Sequence, residues 1–361
     1  MTKQKKYPSL VTRHPSLRMP AEWAPQKRIW LSWPHNAADW PGKFAPIPYV
    51  FAEMVRLISR DQRVGLLVKD TKTKTTAQKL LRQAHANLKH VDFVIASTDR
   101  GWLRDCGPIW VKSGKELIGL DWGFNAWAKY PNWQHDNEIP KAIAAFTGHG
   151  MLEPKHSRLT THNSRLILEG GGIEVDGEGS IIVTEEWLLS KKQIRNKGFM
   201  RRDYETIFAK YLGAENTIWL GRGIVGDDTH GHVDDITRFV AAGKIVTVIE
   251  HDKRDANYAL LQDNLKRLKK ARDANGRSFE VIDIPMPRPV IYDGERLPAS
   301  YANFLICNKV VLVPVFNDVA DKDALDTLQA CFPTREVIGI YARDLVWGLG
   351  TIHCLTQQEP L

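Results

Sequence analysis

The stretch ITRFVAAGKIVTVIEHDKRDANYALLQDNLKRLKKARDANGRSFEVID, residues 236–283, reads as one complete unit of a larger pattern. Two apolar, β-branched runs, 236–240 and 244–249, form a close pair of strands across Gly243. A helix over 256–271 follows, and a third strand at 279–283 ends the unit, giving the order ββαβ. The same rhythm recurs elsewhere. Strands are expected at 28–33, 64–68, 91–96, 107–111, 165–169, 180–184, 217–220, 303–307 and 309–313. Helices are expected at 48–60, where Phe51, Met54, Val55 and Ile58 keep helical spacing, and at 74–87, 138–146, 203–212 and 321–331. Strands in pairs or triplets between single helices, without strict βαβ alternation, argue for α/β units arranged radially rather than a doubly wound sheet. Residues 1–20 are basic and proline-containing without periodicity and read as an irregular N-terminal arm. Residues 21–361 read as a single domain.

The 361 residues carry a net charge of +8, which invites a nucleic-acid reading. The bases are scattered among acids, however, and the one real cluster (Lys191, Lys192, Arg195, Lys197, Arg201, Arg202) has no nucleic-acid motif beside it. It reads as a solvated loop rim. Four cysteines (106, 307, 331 and 354) without a C-x-x-C pair fit a reducing compartment rather than a disulfide framework. No apolar run follows the basic N-terminus as a secretory signal requires, and none reaches membrane-spanning length. The expectation is a cytoplasmic protein with no membrane or nucleic-acid partner; a homo-oligomer is compatible with the sequence.

Four stretches hold chemistry that a core does not require. In Val346–Pro360 a strand-like apolar run breaks into glycines and presents Cys354 beside His353, on a turn able to expose a thiol at a site mouth. Trp102–Pro108 places an Arg-Asp pair, Arg104 and Asp105, before Gly-Pro. Arg165–Gly172 ends an apolar strand in Glu169 and three glycines, a place for backbone to approach a ligand closely. In Asp227–Asp235, a strand beginning at His232 would set His232 and Asp234 on one face. Such a pair suits an acid/base and its orienting group. With His230 nearby, the same spacing suits zinc or iron.

Together these stretches resemble the agmatine deiminase family, a branch of the guanidino-group-modifying enzymes that includes bacterial peptidylarginine deiminase. The matching pieces are W-x-R-D-x-G-P at 102–108, L-E-G-G at 168–171, D-x-x-G-H-x-D at 228–234, G-x-x-H-C-x-T-Q-Q at 350–358 and the opening E-W-A-P-Q-K-R-I-W-L-S-W-P-H at 22–35. Leu349 stands where many relatives have glycine, and His230 where Asn or Asp is usual. The resemblance implies a five-bladed α/β propeller of ββαβ units with pseudo-fivefold symmetry, the pentein fold. It implies hydrolysis of agmatine to N-carbamoylputrescine and ammonia, a step of putrescine and polyamine biosynthesis, with no metal or organic cofactor. In that reading Asp105 and Asp234 hold the guanidinium nitrogens and Cys354 attacks its carbon. His232 protonates the departing ammonia and then activates water, while Glu169 orients substrate or His232. Trp102 adds a cation–π contact of about 0.5–2 kcal/mol, and Asp228 binds the substrate's far end. Rival readings are deimination of peptidyl or free arginine, amidino transfer, and a non-catalytic propeller that only binds a partner.

Overall fold

The computed structural model describes residues 17–159 and 165–361. The chain opens with strand β1 (Gln26–Ser32), helix α1 (Ile47–Ile58), β2 (Arg63–Val68), α2 (Thr71–Gln83) and β3 (Val91–Ile95). A one-turn helix α3 (Leu103–Cys106) leads to β4 (Ile109–Ser113), β5 (Glu116–Leu120), α4 (Ile139–Thr147) and β6 (Gly150–Leu152). The next group is β7 (Glu174–Val175), β8 (Ser180–Thr184), α5 (Glu185–Leu189), α6 (Arg201–Ile207) and β9 (Asn216–Leu220). The unit quoted at the outset follows as β10 (Thr237–Ala241), β11 (Lys244–Ile249), α7 (Tyr258–Lys270) and β12 (Glu280–Pro285). A small hairpin, β13 (Ile291–Tyr292) and β14 (Glu295–Arg296), precedes β15 (Leu305–Ile306), β16 (Val310–Val315), α8 (Asp321–Cys331) and β17 (Glu336–Tyr341); β18 (Thr356–Pro360) comes last.

Apart from the small hairpin, the described strands form five sheets, in the orders β4-β5-β6, β7-β8-β9, β10-β11-β12, β15-β16-β17 and β18-β1-β2-β3. Each sheet begins with an antiparallel pair and continues with a parallel partner reached through a helix. The central strands are apolar because both of their faces are covered: Val310–Pro314 are all buried, as are Ile245–Ile249. The amphipathic reading of α1 is correct, with Phe51, Met54, Val55 and Ile58 all buried. Helix α2 starts where Asp70 accepts a hydrogen bond from the Thr73 N–H at 2.6 Å, the N-cap arrangement.

Several expectations need correction. Residues 165–169 are not a strand of any sheet; Ile167 makes only an isolated bridge to Gly123. The apolar run Leu345–Gly348 is a 3₁₀ turn that closes on the left-handed Leu349 (φ 67°) instead of extending as a strand. His232 and Asp234 do not lie on a strand: Val233–Asp235 is a 3₁₀ turn and β10 begins only at Thr237. Most of the N-terminal arm lies outside the described residues, but residues 17–20 are packed. Arg18 bridges Lys112, the Met19 N–H bonds to the Leu212 carbonyl, and Leu17 and Met19 are buried. Among the described residues, no helix is long and apolar enough to cross a membrane.

Candidate functional site

Asp105 sits on α3, whose Arg104 N–H bonds to the Cys354 carbonyl at 3.1 Å. That bond joins two stretches about 250 residues apart, as the Arg104 side chain also does by reaching the His353 carbonyl (separation 249). Asp105 is held by the Trp127 indole N–H at 2.8 Å and the Gly171 N–H at 3.0 Å. Glu169 is fully buried and accepts from Arg195 Nε at 2.8 Å and from the Trp187 indole at 2.7 Å. The glycines after Glu169 now have a steric reason. A Cβ on Gly170 would lie 2.4 Å from the Arg104 carbonyl oxygen. One on Gly171 would lie 2.7 Å from His232 Nδ1, 2.9 Å from Asp105 Oδ1 and 3.0 Å from Asp234 Oδ2. Three ionisable side chains thus converge over one residue that has no side chain.

His232 is positioned through its backbone: its N–H meets Asp227 Oδ2 at 3.1 Å, and the Gly231 N–H meets the same oxygen at 2.6 Å. The ring lies edge-on to Trp187, with Nδ1 3.7 Å from Asp105 and Nε2 3.8 Å from Glu169. Those are ion-pair separations rather than hydrogen bonds, and both ring nitrogens are buried without a hydrogen-bond partner. Cys354 Sγ lies 3.0 Å from Asn303 Nδ2 and 3.6 Å from Asp234 Oδ2. Asp234 Oδ2 is held by His353 at 2.7 Å, while Asp234 Oδ1 is buried with no partner. A buried carboxylate oxygen without a partner is open to an N–H donor.

Burial lifts the Cys354 thiol well above its usual range, and the charges of Asp234, Asp235 and Asp105 lift it further. Burial also leads for Asp105, which with Asp234 and Glu169 nearby is raised to about 6 despite the opposing His232. For His232 burial works in the other direction but is outweighed by Asp105, Glu169 and Asp234, so its pKa is raised to about 9. Burial opposes ionisation of Glu169 as well, yet Arg195 and His232 hold it down to about 2. These shifts favour an ionised Glu169, an imidazolium at His232 and a protonated thiol at Cys354 near neutral pH, whereas burial and then Asp234 raise Asp235 well above the usual carboxylate range.

A cavity of about 520 Å³ opens over this floor. Cys354 and Asp105 reach it, with Trp102, Trp127, Tyr130, Asp228 and Leu349 on its walls. Leu349, where the resemblance leads one to expect glycine, thus touches the cavity. His230 turns away, hydrogen-bonded to Ser190 at 2.9 Å and lining a different cavity. His230, His232 and Asp234 consequently do not converge as a metal triad would. Among the described residues, two other sets bring ligand atoms within 4.8 Å of one another: Glu22, Glu174 and His353, and Asp234, Asp235 and Cys354. In the first, Arg238 already balances both glutamates, at 2.7 and 2.9 Å. In the second, Asn303 donates to both Asp235 and the thiol.

Asp228 does not cap its own turn. Asp227 does, accepting from the Thr229 N–H at 2.8 Å, and Asp228 is left to accept from the Tyr130 hydroxyl at 2.7 Å and from Lys129. Sequence reasoning missed Asn303, His353, Trp127, Trp187 and Arg195. His353 was in plain view beside Cys354, and Arg195 was misread: its side chain has no exposure, so it is no rim residue. The segment around it also ties down the site, with Gln193 Nε2 bonding to the carbonyls of Trp127 and Asp228. For Asn303 the sequence carried no signal.

The fold agrees with the comparisons to known proteins. The family model for Porphyromonas-type peptidyl-arginine deiminase matches residues 18–360, and the chain belongs to that family. An agmatine deiminase of Stutzerimonas stutzeri is 36% identical over 367 residues, covering 95% of each chain. Among solved structures, an agmatine deiminase of Enterococcus faecalis superposes with a TM-score of 0.87 at 30% identity, covering 97% of this chain and 98% of that one. A C. jejuni agmatine deiminase with substrate bound gives 0.83 at 28% identity, covering 95% and 96%.

Proposed function

We propose that this chain is an agmatine deiminase, a hydrolase that converts agmatine and water to N-carbamoylputrescine and ammonia. The observation that carries the reading is the cluster of Cys354 and Asp105, which reach the cavity, with His232, Glu169 and Asp234 buried directly behind them. A guanidinium is planar and permanently charged, and its forked N–H groups suit paired carboxylates. Asp105 and the free Oδ1 of Asp234 take those groups, which places the central carbon against Cys354. The incoming cation offsets the carboxylate charges that hold the thiol protonated, so the thiol gives its proton to solvent and thiolate forms in the complex. Its sulfur attacks the carbon, and His232, still an imidazolium, gives its proton to the leaving nitrogen as ammonia departs. The resulting thiouronium on Cys354 is attacked by water, one of whose protons returns to His232; sulfur then leaves as the product carbonyl forms, and the remaining hydroxyl proton passes to the departing sulfur, restoring the thiol. Glu169 orients His232. Trp102 lies along the substrate and Asp228 meets its distal ammonium. In this reading residues 21–361 are one cytoplasmic catalytic unit whose five sheets are the blades of a pseudo-fivefold propeller.

Agmatine lacks the α-carboxylate of arginine, and a carboxylate brought toward Asp228 meets like charge. We expect agmatine to be turned over better than free arginine by roughly 10³-fold, since an unpaired buried charge costs several kcal/mol, and better than a blocked arginine peptide, which lacks the distal ammonium that Asp228 would meet. Asp228→Asn should narrow that gap by weakening agmatine turnover. An ammonia-release assay of the three substrates side by side tests this, and equal kcat/KM for agmatine and the peptide would reassign the protein to peptidyl-arginine. The profile of kcat/KM against pH should be a bell. It falls below about pH 6 as Asp105 takes up a proton, and above about pH 9 as His232 loses one. A flat response between pH 8 and 10.5 would remove His232 as the acid.

A further inference from the structure

The charged residues on the wall of the cavity above Cys354 are Asp39, Arg100, Asp105, Asp228, Glu295 and Arg296. All but one are already engaged. Asp39 pairs with Arg100 at 2.7 Å and Arg296 with Asp255 at 2.9 Å. Asp105 accepts its two N–H groups, and Asp228 is matched by Lys129 and by the Tyr130 hydroxyl. Among the described residues, the Glu295 side chain has neither a hydrogen bond nor an ion pair. Its place is fixed by the hairpin that carries it. Strands β13 and β14 are joined across Asp293 and Gly294, both at positive φ (51° and 81°), the two-residue turn that an Asp-Gly pair favours. Tyr292 and Glu295 are the directly opposed pair beside that turn, so their side chains share one face of the hairpin. That face is turned to the site, because the Tyr292 ring meets Trp347, itself on the cavity wall, at 4.3 Å between ring centres. The returning strand packs on the turn that leads to Asp228: a Cβ on Gly226 would lie 2.3 Å from the Arg296 carbonyl oxygen. The hairpin is thus held at both sides of the cavity mouth and presents an exposed carboxylate there.

We propose that Glu295 is a specificity-determining residue: its carboxylate supplies the counter-charge for a primary ammonium at the tail of a guanidino substrate and disfavours a tail that ends in a carboxylate. The proposal rests on the functional reading above for the identity of that substrate, and adds that Asp228 does not provide the charge alone. An ammonium arriving at Asp228 meets an acid that already has Lys129 as its counter-ion. Glu295 brings the unmatched acid. An ammonium has three N–H donors and can use both.

The test compares agmatine with pentylguanidine, which has a methyl group where agmatine has its ammonium. Binding of each is measured by calorimetry on the full-length Cys354→Ala protein, with and without a change at Glu295. Exposed ion pairs contribute modestly, so Glu295→Gln should weaken agmatine roughly three- to fivefold and leave pentylguanidine unchanged. Glu295→Lys reverses the charge and should weaken agmatine roughly tenfold or more. Raising the ionic strength from about 0.02 to about 0.5 M should shrink the difference between Glu295 and Gln, which a merely structural role would not do. With Cys354 in place, Glu295→Gln should raise KM for agmatine and leave kcat within about twofold. Ile291→Thr, on the opposite face of the hairpin, should change none of these values. Equal weakening of both ligands, or weakening of neither, would overturn the proposal. If the protein with Cys354 in place releases no ammonia from agmatine, the functional reading falls, while the two-ligand binding comparison still judges Glu295 separately.

Discussion

Cys354→Ala should release ammonia from agmatine no faster than the assay background, a loss on the order of 10⁴–10⁶-fold, as when the nucleophile of a covalent mechanism is removed. No neighbouring thiol is placed to substitute. Cys106 is buried, points its Sγ at the Trp102 carbonyl and is pushed well up in pKa by burial and then by Asp136 and Asp105. Cys307 is buried and also raised, by burial and then by Glu22. Cys331 ends α8 and does not line the cavity. Cys106→Ala, Cys307→Ala and Cys331→Ala should all retain turnover. A haloacetamidine carries the planar cationic head that Asp105 and Asp234 recognise, and it should label Cys354 with loss of activity. Inactivating label at another cysteine, or a working Cys354→Ala protein, would overturn the assignment.

The second large effect is expected at Arg195→Met. Arg195 and Glu169 both have fully buried side chains, joined at 2.8 Å, and Arg195 also donates to the carbonyls of Gln193 and Thr229. Removing one partner of such a pair leaves the other as an uncompensated interior charge, a cost of about 3–5 kcal/mol. The sign with pH follows from Glu169. Its folded pKa, about 2, lies below the ordinary 4.5, so the stabilisation is complete above 4.5 and is lost as pH falls toward 2. Arg195→Met should therefore lower the urea midpoint strongly at pH 7 and much less at pH 3. Glu169→Gln on that background should regain part of the loss at pH 7. A variant within 1 kcal/mol or so of wild type would show that the pair does not hold the site together.

Periodicity revealed most of the helices because each buries one stripe: α1, α7 and α8 were visible from sequence, α8 at Asp321–Cys331 as expected. The short or half-buried strands were not visible. β7 has two residues, and β17 (EVIGIY) mixes exposed and half-buried positions, so neither carries a decisive period. The expected ββαβ order is met in full by the unit β10-β11-α7-β12, where every strand is long enough to show its period. At the site, the residues that bear chemistry could be named because they sit in short motifs. The residues that hold them could not. Arg195 looks like any base in a basic loop until Glu169, 26 residues away in sequence, is brought against it. Asn303 reaches the thiol across 51 residues. The error over His232 had a local cause: alternation suggested a strand, whereas Asp227 gathers the Thr229, Gly231 and His232 N–H groups into a turn.

The pairing of β18 with β1 bears on how the molecule is assembled in time. Arg28 and Glu359, 331 positions apart, meet across that pair, and Cys354 lies just before it. Contacts between such distant segments cost little extra at equilibrium, because loop-closure entropy grows only logarithmically, but they form slowly. Units such as β10-β11-α7-β12 can organise from nearby contacts while the segment bearing the thiol is still solvated. During refolding, Cys354 should consequently react with general thiol reagents until β18 docks and become selective for guanidinium-like reagents only afterwards. The reactivity of one sulfur then serves as a clock for the joining of the two ends.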